Sequence, residues 1–94
     1  MPPATKEEAE MLLKRVRGWS LSKDGNILEK KFTFKNFAQA LTFANAIGAI
    51  AEAEGHHPDL TVGWGVLGVA VTTHAIGGLS ENDFILAAKI DEIR

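Results

Sequence analysis

The sequence of 94 residues contains no cysteine. This absence excludes disulfide bonds, thiolate metal sites and cysteine nucleophiles, so the fold must rest on packing and on any assembly of subunits. Long apolar runs are also missing, because no stretch approaches the roughly 18 continuous apolar residues of a membrane-spanning helix. The N-terminus lacks a basic region followed by an apolar one. We therefore expect a cytoplasmic protein with no membrane contact.

Basic residues are absent from the middle of the chain. Eight of the ten lie in the first 35 positions, and none occurs between Asn36 and Ala88. All three histidines fall within that same stretch. Because phosphate and nucleic-acid contacts favour Arg and Lys, we expect the histidines to face a neutral or weakly charged ligand, with no direct binding of nucleic acid.

Three segments combine apolar residues at helical spacing with capping residues. They cover residues 6–17, 36–54 and 80–93. Gly55 follows the second as a left-handed C-cap, and Asp83 stands at the capping-box position of the third. The predicted N-caps are Thr5, Asn36 and Ser80. With 46% hydrophobic and 23% charged residues, the chain is expected to form one globular domain spanning 1–94.

Four strand-like runs form two predicted hairpins. Residues 19–22 and 27–34 flank an Asp-Gly turn, and residues 60–64 and 67–73 meet around Gly65-Val66. Alternation places these residues on the core face of the second hairpin: Leu60, Val62, Trp64, Leu67, Val69 and Val71. The opposite face carries Thr61, Gly63, Gly68, Ala70, Thr72 and His74. The pattern predicts an α+β fold, a four-stranded antiparallel sheet with three helices on one face, in the order α-β-β-α-β-β-α.

The central helix is apolar on two sides. One stripe contains Phe37, Leu41, Ala44 and Gly48, and another contains Phe43, Ile47 and Ile50. The sheet of so small a domain can cover only one side. Either the other side packs against another subunit, or the first and last helices cover it.

The three histidines form a candidate functional cluster. His56 and His57 follow the central helix, Pro58 biases His57 toward an extended backbone, and the second hairpin returns His74 toward them. Imidazoles exchange protons near neutral pH, which suits general acid and base catalysis. A metal site is the alternative, although no His-x-x-x-His spacing is present. Glu52, one helical turn before His56, is either a carboxylate ligand of such a metal or a hydrogen-bond partner that orients an imidazole.

Two other motifs carry less weight. Gly63-x-Gly65-x-x-Gly68 matches a dinucleotide-binding string, but a strand rather than a helix follows it, so no helix N-terminus would face a pyrophosphate. Ser80 is better explained as a helix cap than as a nucleophile.

The sequence closely resembles the pterin-4a-carbinolamine dehydratase family. The residues that carry the resemblance are Glu52, His56-His57-Pro58, Trp64, His74 and Asp83, together with Gly18-Trp19, Phe32-x-Phe34-x-x-Phe37, Thr73 and Gly78-Leu79-Ser80. The resemblance implies dehydration of 4a-hydroxytetrahydropterin to quinonoid dihydropterin, in tetrahydrobiopterin recycling, without a cofactor. It also implies a homodimer or homotetramer.

The resemblance further implies roles for individual residues. His56 and His74 become the acid/base pair and His57 a binding residue, with Glu52 and Asp83 in support. The implied pterin-binding residues are Gly55, His56, His57, Pro58, Thr72, Thr73, His74 and Ala75. Capping of the last helix explains the presence of Asp83 nearly as well. Trp64 falls on the predicted core face, so a structural role would explain its match to the family. A non-catalytic dimerisation cofactor or assembly factor on the same fold is the alternative function.

Overall fold

The computed structural model describes residues 2–93, so Met1 and Arg94, the ends of the predicted single domain, lie outside the described residues. The predicted element order α-β-β-α-β-β-α is confirmed. The helices are α1 (Lys6–Leu13), α2 (Phe37–Glu54) and α3 (Glu81–Glu92), the strands are β1 (Ser20–Leu21), β2 (Leu28–Thr33), β3 (Asp59–Gly63) and β4 (Val66–Val71), and a one-turn 3₁₀ helix covers His74–Ile76.

The four strands form one antiparallel sheet in the order β1-β2-β4-β3. Side chains alternate along β2, where Leu28 and Phe32 are buried while Glu29 and Lys31 are exposed. The inward side chains pack against residues of all three helices, including Ala9, Phe43, Ile47, Phe84 and Ile90. The predicted α+β architecture is confirmed. Among residues 2–93, no helix is both long and apolar enough to cross a membrane.

The first helix is shorter than predicted, because α1 ends at Leu13 rather than at Arg17. Beyond Leu13 the backbone tightens. The amides of Lys14, Arg15 and Val16 donate to carbonyls three residues earlier, at 3.3, 3.0 and 3.1 Å, instead of four residues earlier. This tighter turn brings Val16 into the core, so tertiary packing overrides the helical periodicity.

Both predicted caps of α2 are confirmed. The side chain of Asn36 accepts the Gln39 N–H at 2.9 Å, and Gly55 adopts the left-handed conformation with φ 64°. The buried face consists of Ala40, Phe43, Ala44, Ile47 and Ala51. Phe37 and Leu41 remain 46% and 42% exposed, so the first and last helices do not cover this part of the stripe that begins at Phe37.

The register of the second hairpin differs from the prediction. Val62 pairs with Leu67, and the turn consists of Trp64 and Gly65 rather than Gly65 and Val66. Gly65 supplies the positive φ of 72° that the turn requires, whereas the β-branched Val66 is suited to a strand. Trp64 therefore lies at the hairpin tip, 76% exposed, and its predicted place on the core face is wrong.

Lys30 is the one charged residue on the inward face of β2. Its Nζ donates to Asp91 Oδ1 at 2.8 Å and lies 4.7 Å from the ring centroid of Phe32. The indole of Trp19 donates to the other oxygen of Asp91 at 3.0 Å. These contacts provide partners for the positive charge of Lys30 and connect β2 to α3. They explain how a lysine is accommodated on the inward face of the strand.

Candidate active site

The His56-His57 pair is held by the end of α2. The left-handed Gly55 reverses the chain, and the His56 amide donates back to the Ala51 carbonyl at 3.1 Å. Pro58 then leads the chain into β3. The two imidazoles therefore start from a fixed backbone at the junction of α2 and β3.

A single buried carboxylate connects three segments of the chain at this point. Asp83 is fully buried, and its Oδ1 lies 2.5 Å from Nε2 of His56. Its Oδ2 accepts the Thr73 hydroxyl and the Ser80 amide, each at 2.8 Å. Buried carboxylates require such hydrogen bonds to offset the loss of hydration. Asp83 therefore joins the end of α2, the start of the 3₁₀ helix and the start of α3.

The two roles considered for Asp83 use different oxygens. Oδ2 caps α3 through the Ser80 amide, and Oδ1 holds the imidazole of His56. Because an ionised carboxylate only accepts hydrogen bonds, His56 donates from Nε2. In the neutral ring Nδ1 then carries the lone pair, which fixes the tautomer of His56.

His57 has a separate carboxylate partner. Its Nε2 is hydrogen-bonded to Oε2 of Glu52, on the last full turn of α2. Both side chains are exposed, at 62% and 77%, so the pair contributes little to stability. Its effect is to orient an imidazole that remains accessible to a ligand.

His74 lies outside the second hairpin. β4 ends at Val71, and His74 begins the 3₁₀ helix with its side chain exposed. The expected placement of His74 on a strand face is therefore wrong. The loop is closed by the Thr73 amide, which donates to the Gly78 carbonyl at 2.9 Å. Thr73 precedes His74 and binds the same carboxylate as His56, so Asp83 connects the segments carrying these two histidines.

Two predicted binding residues use their hydroxyl groups within the protein. Thr72 donates to the Asn26 carbonyl at 2.7 Å, and Thr73 donates to Asp83. Gly55 and Ala75 are exposed beside the histidines, and Pro58 is partly buried. The substrate-binding roles of Gly55, Pro58, Thr72, Thr73 and Ala75 stay predictions.

A small cleft of about 150 Å³ adjoins His56. Its lining residues are Glu54, Gly55, His56, Asn82, Ile85 and Leu86. No Lys or Arg lines it, in agreement with the absence of basic residues from this part of the chain. The basic residues Arg15, Arg17, Lys30 and Lys31 instead line a separate groove of about 630 Å³. Sequence analysis missed Asn82, although it belongs to the same first turn of α3 as Asp83.

The glycine string and the residues of the alternative metal site have other roles in the fold. The glycines at 63, 65 and 68 belong to the second hairpin, and no helix begins there. Within residues 2–93, no three side chains of His, Asp or Glu converge in an arrangement that could hold a metal ion. Glu52 and Asp83 each bind a different histidine instead.

A family model described as pterin 4 alpha carbinolamine dehydratase matches residues 2–93, which is nearly the whole chain. The chain belongs to the pterin-4a-carbinolamine dehydratase family. It is 53% identical over 93 residues to a protein of Methylococcus capsulatus, covering 99% of this chain and 82% of that protein. It is 50% identical over 93 residues to one of Nitrosospira multiformis, covering 99% and 80%. Both relatives are provisionally named pterin-4-alpha-carbinolamine dehydratase.

Solved structures share this family fold. A transcriptional coactivator/pterin dehydratase from Brucella melitensis superposes with a TM-score of 0.90 at 27% identity, covering 97% of each chain. A pterin dehydratase-like RuBisCO assembly factor of the alpha-carboxysome superposes with a TM-score of 0.69 at 24% identity, covering 82% of this chain and 89% of that one. At that identity the second likeness concerns the fold alone.

Proposed function

We propose that this chain dehydrates a 4a-hydroxytetrahydropterin to the quinonoid dihydropterin, in tetrahydrobiopterin recycling. Family membership supports the reaction class. The observation that carries the proposal is the buried Asp83 carboxylate on His56, because a fixed imidazole tautomer is what a positioned proton-transfer group needs.

The dehydration requires two proton transfers. The C4a–O bond breaks as an acid protonates the departing hydroxyl, and a C4a=N5 double bond forms as a base takes the N5 proton. The reaction is redox-neutral, so an acid and a base suffice without a cofactor. We assign the base to His56, through the Nδ1 lone pair that Asp83 fixes, and the acid to His74. Such positioned transfer contributes ~10² to 10⁴ in rate.

The remaining site residues are assigned to binding. His57, oriented by Glu52, contacts the pterin ring, and the rim is formed by Gly55, Pro58, Thr72, Thr73 and Ala75. The cleft beside His56 has no Lys or Arg in its lining, and this lack of positive charge favours a pterin over a phosphorylated ligand.

The protein is proposed to act in the cytoplasm as a homodimer or homotetramer. Phe37 and Leu41 support assembly, because both large apolar side chains of α2 are more than 40% exposed in the single chain. Light scattering of the purified protein should give a mass of two or four chains. A Leu41→Ser variant should shift it toward one chain.

The rival function is a non-catalytic dimerisation cofactor or assembly factor. It is favoured by the same exposed apolar face of α2 and by the name of the Brucella protein, a transcriptional coactivator. The hydrogen-bonded histidines argue against it as the sole function, since a purely structural module does not need them. Purified protein should accelerate dehydration of a 4a-hydroxytetrahydropterin, and His74→Ala should lose most of this acceleration while staying folded. A wild-type rate equal to the uncatalysed rate would exclude the enzyme.

A further inference from the structure

A short segment before α1, residues 2–4, lies against the loop that carries His74. The amide of Ala4 donates to the Leu79 carbonyl at 2.7 Å. Pro3 packs directly on Gly78, where a Cβ atom would lie only 2.8 Å from Cβ of Pro3. Gly78 does not have a positive φ, so glycine is required here by the close approach of Pro3 and of Asn26 Oδ1, which would lie 3.1 Å from the Cβ, and not by the backbone conformation.

Gly78 and Leu79 connect to both halves of the candidate active site. The Gly78 carbonyl accepts the Thr73 amide at 2.9 Å and so closes the loop containing His74. Leu79 is fully buried and precedes Ser80, whose amide donates to Asp83 at 2.8 Å. A shift of these two residues would therefore move the His74 loop and the carboxylate together.

The segment is itself fixed by the start of α1. Thr5 and Glu8 form a reciprocal capping box, with contacts of 2.8 and 3.1 Å between each side chain and the other's amide. Ala9, one turn later, is fully buried in the core. The segment before Thr5 is thus held at one end by α1 and along its length by the loop.

We propose that Pro3 and Ala4 are positioning residues for the dehydration, acting through Gly78 and Leu79 on His74 and Asp83. This inference rests on the proposed function. Pro3 contacts Gly78 and Ala4 is hydrogen-bonded to Leu79, so both residues act through the loop. Small displacements of reacting groups are costly to rate, so a shift of this loop is expected to lower kcat.

The direct test compares Ala4→Pro with Ala4→Ser. The proline removes the amide that binds Leu79, whereas the serine keeps it. We expect Ala4→Pro to lower kcat about tenfold and to change KM less, because the loop carries His74 and the rim residues Thr73 and Ala75, whereas the binding residue His57 and its partner Glu52 lie outside it. Exchange of the Thr73 amide with solvent should accelerate in the same variant. Ala4→Ser should retain the wild-type kcat and the wild-type exchange rate.

A second pair of variants decides the question if Ala4→Pro fails to fold. Gly78→Ala introduces the Cβ that collides with Pro3, and it should lower kcat. In a Pro3→Gly background the collision with Pro3 is absent and only the tight approach to Asn26 Oδ1 at 3.1 Å remains, so Gly78→Ala should have a smaller effect there and the two losses should not add. Additive losses would overturn the inference, as would an unaltered kcat in folded Ala4→Pro. Inactive wild-type protein would instead refute the proposed function, which keeps the two failures distinct.

Discussion

Replacing Asp83 with asparagine tests the central feature of the site. The side chain keeps its shape but loses its charge and one of its two acceptor atoms. Its three short hydrogen bonds come from the His56 imidazole at 2.5 Å and from the Thr73 hydroxyl and the Ser80 amide at 2.8 Å, and the Ser80 hydroxyl lies farther away at 3.4 Å. An asparagine offers one oxygen and one NH₂ group, so it cannot accept from all three.

Either orientation of the new amide is unfavourable. If its oxygen faces Thr73 and Ser80, its NH₂ meets Nε2 of His56, which must then accept, and the imidazole proton moves to Nδ1. If its oxygen faces His56, the NH₂ opposes the Ser80 amide, leaving buried donors unpaired at about 1–3 kcal/mol. Hydrogen bonds to a charged group also become neutral ones, so we expect a total loss of roughly 3 kcal/mol in the free energy of unfolding.

The first orientation also removes the lone pair proposed to take the N5 proton. We therefore expect Asp83→Asn to lower kcat by about 10²-fold or more. Pterin absorbance would follow turnover, and urea denaturation would give stability. Asp59→Asn is the matched control, since Asp59 is exposed and should change stability by no more than about 0.5 kcal/mol. Full activity in Asp83→Asn would refute the proposed role of Asp83 in proton transfer. If stability were lost while turnover stayed normal, Asp83 would act only as a helix cap.

Two further substitutions test local features of the fold and site. Gly65→Ala should lower the free energy of unfolding, measured in urea, by about 1–3 kcal/mol, because φ is 72° and the new Cβ would lie 3.0 Å from the Phe34 carbonyl oxygen. The control is Gly48→Ala, which has open space around its Cβ and should be neutral or stabilising. Glu52→Gln should raise KM more than it lowers kcat and leave the urea midpoint unchanged, because it loosens the exposed His57; an unchanged KM would contradict a binding role for that pair.

Sequence alone predicted the elements whose signals are local. Asn36 and Gly55 mark the ends of α2 because capping depends on backbone conformation and on side chains within one turn. The same local signal at Gly55 predicted that His56 and His57 lie just beyond that helix. The pterin chemistry came from the family resemblance, since composition and spacing indicated only acid and base catalysis by imidazoles.

Tertiary structure decided what depends on distant residues. The end of α1 was set by packing of Val16. The hairpin register was set by the turn in which Gly65 adopts a positive φ, and this register moved Trp64 from the core to the surface. The bond between His56 and Asp83 joins residues 27 positions apart, and no local periodicity encodes such a pair. The sequence determined which groups were available for catalysis. Only the folded chain determined that one buried carboxylate would link His56 to the loop of His74.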